Sequence, residues 1–128
     1  MKSDVKLWLS HAEENLKSAE LLLRNKLYNP CLQNVQQALE KYLKAVLLST
    51  GEKLKRTHSI RELVAGLSKL DIEIDINEDD IELIDSIYLP SKYPLGSALP
   101  DFHPEENISQ KCIKIAKRVK QSVNKLLK

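Results

Sequence analysis

The chain has 128 residues, of which 42% are apolar and 30% charged, with a net charge of +2. Those values fit one domain around one hydrophobic core, and no window approaches the ~18 apolar residues of a membrane span. The two cysteines, Cys31 and Cys112, lack CxxC spacing and the N-terminal residues lack an apolar leader, so a reduced, cytoplasmic chain is expected.

The first element is predicted over 4–24, where Val5, Trp8, Ala12, Leu16, Ala19 and Leu23 recur at spacings of three and four and Asn25 marks a stop. Asn29 then reads as an N-cap with Pro30 at the first helical position. Cys31, Val35, Ala38, Tyr42, Ala45 and Leu48 or Ser49 carry the second stripe until Gly51. A third helix follows Thr57-His58-Ser59, with Ile60, Leu63, Val64 and Leu67 inward. The alternating "DIEIDI" at 71–76 has no partner strand and reads as an extended linker. Asn77 caps a fourth helix with Ile81, Ile84 and Ile87 or Tyr88 inward. Pro104, Glu105 and Glu106 open a fifth, striped by Ile108, Cys112, Ile115, Val119, Ser122 or Val123, and Leu126; acids in a first turn suit the helix dipole. The expected fold is all-α, an up-and-down bundle of about five helices forming a single domain over 1–128.

Between the last two helices, "SKYPLGSALPDFHPEEN" at 91–107 reads as non-helical, because Pro94, Gly96 and Pro100 break a helical period. It also holds Lys92, Tyr93, Asp101 and His103, side chains able to bind phosphate or move protons. Charge is unevenly placed: 71–85 has eight acids and no Lys or Arg, whereas 111–128 has seven bases and no acid. Two solvated faces that offset each other explain this more simply than a nucleic-acid surface. The sequence has no glycine-rich phosphate loop, no zinc-spaced His/Cys cluster and no nucleophile elbow, so neither cofactor nor metal is expected.

The stretch "NVQQALEKYLKAVLLSTGEKLKRTHSIRELV" at 34–64 adds a more specific signal. Gln36-Gln37-Ala38, Glu40-Lys41, Lys44-Ala45, a glycine, and Thr57-His58 followed by Ile60 and Leu63 occur in order. With Trp8 and "LYNPC" upstream and "SKYP" downstream, the chain resembles the HEPN family, the higher eukaryotes and prokaryotes nucleotide-binding domain. The resemblance implies a helical bundle that forms homodimers. It also implies a minimal nucleotidyltransferase as partner, the two forming a toxin–antitoxin-type pair, with nucleotide or RNA as a further ligand. Many members resembling this chain are metal-independent endoribonucleases, with Arg and His four to six residues apart at the dimer cleft.

That motif is not intact here. None of Arg24, Arg56, Arg61 and Arg118 precedes a histidine at the required spacing; the nearest arrangement is Lys92 with His103 eleven positions on. Lysine offers a point charge where arginine grips phosphate with two parallel hydrogen bonds. The candidate residues are therefore His103 as a general base and Lys92 as a phosphate contact in an altered catalytic site, Tyr93 and Asp101 beside them, and a binding row of Gln37, Lys41 and Lys44 on the second helix. His58, at a helix start, is a further binding candidate, and it is also expected to hydrogen-bond backbone of the preceding loop. A partner-binding module is the first functional reading, and an endoribonuclease with an altered Arg/His site is the alternative.

Overall fold

A computed structural model of the chain describes residues 2–54, 56–92 and 105–127, and of 88–92 the backbone alone. The fold is all-α: α1 (Ser3–Arg24), α2 (Tyr28–Ser49), α3 (Ile60–Ser68), α4 (Glu78–Lys92) and α5 (Glu106–Leu127), with no strand among the described residues. The centre of the bundle is α2, which packs on all four other helices. Its sequence explains this position: from Tyr42 to Leu47 every residue is buried, so the helix is enclosed on all sides rather than along one stripe. Around it, Val5, Ala12, Leu16 and Ala19 of α1, Ile60, Leu63 and Leu67 of α3, Ile81, Ile84 and Ile87 of α4, and Cys112, Ile115, Val119 and Val123 of α5 are buried. Each fully buried branched side chain contributes roughly 1.5–3 kcal/mol relative to exposure.

The stripes read from the sequence face the core, with three adjustments. Trp8, Leu23, Leu48, Val64 and Ile108 are only half-buried, and Leu126 is exposed near the end of α5. The second helix begins at Tyr28, with Leu27 in the cap position and no side-chain cap, rather than after an Asn29 cap. The reason lies in the turn before it. Lys26 takes the left-handed conformation at φ 59°, and the Leu27 and Lys26 N–H groups donate to the Leu22 and Leu23 carbonyls. This Schellman closure of α1 leaves the chain already pointing into α2. The third difference concerns the stretch expected to be non-helical: α4 continues through Pro90 to Lys92, and Glu106 and Asn107 belong to α5. Proline near a helix end removes one backbone hydrogen bond, and the helix runs only two residues further.

The 71–76 segment is irregular, as its unpartnered alternation predicts, and Ile74 pins it to the core. Asn77 caps α4 through its Oδ1, which accepts from Asp80 N–H at 2.8 Å. The acid-rich segment and the basic last helix meet directly: the Arg118 guanidinium lies 2.7 Å from the Asp80 carboxylate and 3.8 Å from that of Asp75. Part of the charge asymmetry is thus an internal pairing. No described helix is long and apolar enough to cross a membrane.

Candidate functional site

Among the described residues, a dense polar arrangement is built where the start of α3 meets the middle of α2. Ser59 caps α3, its Oγ accepting from Glu62 N–H at 3.2 Å. Asp85 of α4 completes the cap: its carboxylate accepts from Ser59 Oγ at 3.1 Å, Ile60 N–H at 2.9 Å and Arg61 N–H at 3.1 Å. An anion over the free N–H groups of a helix start is favoured by both hydrogen bonding and the dipole. This clamp fixes the residue before Ser59, which is His58.

His58 reaches across to Glu40. Its Nδ1 lies 2.8 Å from Glu40 Oε1, while Lys44 Nζ lies 3.1 Å from Glu40 Oε2. Gln36 Nε2 donates both to Glu40 Oε1 at 3.3 Å and to the His58 carbonyl at 2.9 Å. An ionised carboxylate only accepts, so the tautomer that satisfies this contact carries its proton on Nδ1. Glu40 is 5% exposed and Lys44 7%, whereas the His58 side chain is 57% exposed. The cluster is therefore a buried ion pair with a histidine lid. Lys44 Nζ also stands 5.9 Å from the centre of the Trp8 ring, within cation–π range. Trp8 thus covers the ammonium rather than entering the core.

The row Gln37, Lys41 and Lys44 is divided by these contacts. Lys44 turns inward to Glu40. Lys41 is half-buried and donates to Asn15 Oδ1 of α1 at 2.8 Å; Asn15 in turn donates to Asn34 Oδ1 at 3.0 Å. Gln37 donates to Gln36 Oε1 at 3.3 Å. The row is tied to α1 and the cluster instead of standing in solvent. His58 Nδ1 contacts a carboxylate on another helix, a partner that the sequence did not point to. Lys92 ends α4, its side chain outside the described residues, as are Tyr93, Asp101 and His103 entirely.

Glu40, Asp85, Trp8 and Asn15 carry this geometry and were not among the candidate residues. For Glu40 a signal existed, since Gln36, Glu40 and Lys44 lie four apart and must share a helix face. Asp85 gave none, because its partners lie about 25 residues away in sequence. Elsewhere, the buried thiols are inert: burial raises Cys31 to about 11, and burial with the neighbouring Cys31 raises Cys112 to about 12. Among the described residues no group of three or more His, Cys, Asp or Glu is placed to hold a metal ion.

The family profile described as HEPN domain matches residues 5–126. A Methanocaldococcus jannaschii protein named "Putative toxin MJ1304" is 28% identical over 96% of this chain and 88% of its own length. The crystal structure of TT1696 from Thermus thermophilus superposes with a TM-score of 0.81 at 27% identity, covering 98% of this chain and 100% of that one. The crystal structure of ST0689, described as an archaeal HEPN homologue, gives 0.73 at 28% identity, with both chains fully covered.

Proposed function

The chain belongs to the HEPN domain family, and from that membership we propose that it is the helical half of a toxin–antitoxin-type pair, acting as a homodimer with a minimal nucleotidyltransferase as its partner. One observation carries this reading: a single HEPN match fills residues 5–126, and a relative named as a toxin aligns with 96% of the chain. The Glu40 cluster supports it physically. A clamped α2–α3 junction with a half-exposed histidine gives a fixed surface on which a partner could dock without ordering a loop first. In this reading Lys92, Tyr93, Asp101 and His103 form the recognition element for nucleotide, RNA or partner.

The test is co-expression. The chain produced alone should slow host growth, and co-production of a minimal nucleotidyltransferase encoded beside it should relieve the effect and yield a co-purifying complex. Absence of both complex and growth effect overturns the reading. Within it, Lys92→Ala and His103→Ala should weaken partner, nucleotide or RNA binding without lowering the Tm.

This reading does not need ribonuclease chemistry. The Arg118 guanidinium is held by Asp80, and that of Arg61 pairs with Glu78, so both are engaged by carboxylates. Without a guanidinium clamp near such a base, both positioning and proton transfer suffer. Purified protein should leave single-stranded RNA intact. Efficient cleavage that His103→Ala abolishes would establish the endoribonuclease alternative in its place.

A further inference from the structure

His58 stands at the α2–α3 junction with its side chain 57% exposed, yet its surroundings hold it in one orientation. Asp85 of α4 fixes the backbone next to it, accepting from Ser59 Oγ and from the Ile60 and Arg61 N–H groups. Glu40 of α2 fixes the ring, its Oε1 lying 2.8 Å from Nδ1. With the Nδ1 proton committed to that carboxylate, the neutral ring carries its lone pair on Nε2.

Glu40 is itself fixed. Its Oε2 lies 3.1 Å from Lys44 Nζ, and its Oε1 also accepts from Gln36 at 3.3 Å. The carboxylate is buried, so a positive charge developing on the ring is met by an anion at low dielectric. A weak nucleophile is activated by such an arrangement, in which the reacting ring is oriented by an acid that other groups hold. Lys44 offsets the Glu40 charge, so an anionic substrate is not repelled. The segment leading into the histidine, 53–57, holds three bases and no acid, which favours an anion as well. His11, the other described histidine, lacks this setting: it is exposed on α1 and makes no hydrogen bond or ion pair with a described residue.

We propose that His58 is a phosphoryl acceptor, taking a phosphoryl group onto Nε2 from a small anionic phosphoryl donor, with Glu40 as the positioning residue. The Nε2 lone pair attacks phosphorus and forms the N–P bond. The bond from phosphorus to the leaving group breaks, and the leaving group departs with the bonding pair. Nδ1 keeps its proton, so the phosphorylated ring is a cation facing the Glu40 carboxylate. With phosphoramidate as donor the leaving group is ammonia, whose nitrogen already bears all its protons. The step needs neither a second copy of the chain nor a protein partner, and so stands apart from the toxin–antitoxin reading.

The test incubates the full chain with phosphoramidate and maps the product by mass spectrometry. His58 should gain one phosphoryl group, labile to acid and stable to alkali, about tenfold or more faster than His11. The nitrogen-15 spectrum of the neutral His58 ring should show its proton on Nδ1. Glu40→Gln keeps an oxygen for Nδ1 but removes the charge, so the rate at His58 should fall about tenfold or more while that at His11 is unchanged. Circular dichroism checks the fold of this variant; where it does not fold, the wild-type rates and the ring spectrum decide alone. Absence of modification at His58, equal rates at His11 and His58, a neutral ring protonated on Nε2, or an unchanged His58 rate in folded Glu40→Gln each overturns the proposal.

Discussion

The Glu40 cluster and the outer face of α1 hold similar residue types to opposite ends. In the cluster a carboxylate, an ammonium, an amide and an imidazole are joined by contacts of 2.8–3.3 Å, with the two charges buried. On the outer face of α1, Asp4, Glu14, Lys17 and Arg24 are exposed and make no ion pair among the described residues, whereas Glu13 and Glu20 at its edge pair with α5. Burial makes the first set indispensable to the fold, because a charge left unpaired in low dielectric is expensive. Exposure makes the second set nearly irrelevant to folding and leaves it available for assembly, where ion pairs decide orientation and specificity more than strength.

The largest effect that can break this comparison is removal of Glu40. Glu40→Ala strands Lys44 in a buried site and releases His58, so it should cost about 3–5 kcal/mol. Chemical denaturation measures it. Glu14→Ala, the same change on the outer face, should leave the unfolding midpoint of the isolated subunit unchanged. A cost for Glu40→Ala below about 1 kcal/mol would show that the cluster is solvated and that the contrast between the regions is false.

This contrast marks what could be read from the sequence. Five helices, their buried stripes, the Asn77 cap and the stop at Gly51, which takes φ +87°, follow from periodicity and local chemistry. Local rules misplaced the start of α2, because the left-handed Lys26 sets the direction of the chain before Asn29 is reached. They also placed Ser91 and Lys92 in the non-helical stretch, whereas α4 runs to Lys92. The cluster was half-legible: the spacing of Gln36, Glu40 and Lys44 shows a shared face, but not that the face is buried. That depends on His58 arriving from α3 and on Asp85 of α4 clamping the junction, both contacts distant in sequence.

A second way to sharpen the comparison is the clamp itself. Asp85→Ala removes three accepted hydrogen bonds from the start of α3 and an anion from its dipole, and should cost about 2 kcal/mol. Asp4 also lies in the first turn of its helix but makes no side-chain cap there. Asp4→Ala should leave stability unchanged, because Asp4 is exposed and makes no ion pair among the described residues. Equal losses of stability for both would mean that α1 is held by its outer charges after all.

Alkaline pH tests burial separately from charge. The Cys31 and Cys112 thiols are pushed from 9.0 to about 11 and about 12, with burial the first cause in each. The sign follows from proton counting: above about pH 9 the unfolded chain has lost thiol protons that the folded chain keeps. Stability is therefore full below pH 9 and falls as pH rises towards the folded values, by up to about 1.4 kcal/mol per pH unit for each thiol. Cys112→Ala should flatten that slope by roughly half in urea titrations at pH 8 to 10. A slope unchanged by Cys112→Ala would place the titrating group elsewhere.

The smallest effect concerns backbone alone and probes both regions equally. Lys26 closes α1, which carries the outer face, and Asp71 closes α3, whose start the cluster holds. Both take φ 59°, and each turn is locked by a bond that reaches back five residues: Leu27 N–H to Leu22 O at 2.9 Å, and Ile72 N–H to Leu67 O at 3.0 Å. A β-carbon in this conformation costs about 1–2 kcal/mol, which glycine avoids. Glycine gives back about half of that, because it makes the unfolded chain more disordered. Both side chains are exposed, so little else changes. Lys26→Gly and Asp71→Gly should therefore each raise stability by about 0.5–1 kcal/mol, equally within error and additively in the double variant, since the turns share no contact. A gain at one turn and a loss at the other would reveal a side-chain interaction at the losing position, and would make that turn part of the region it borders.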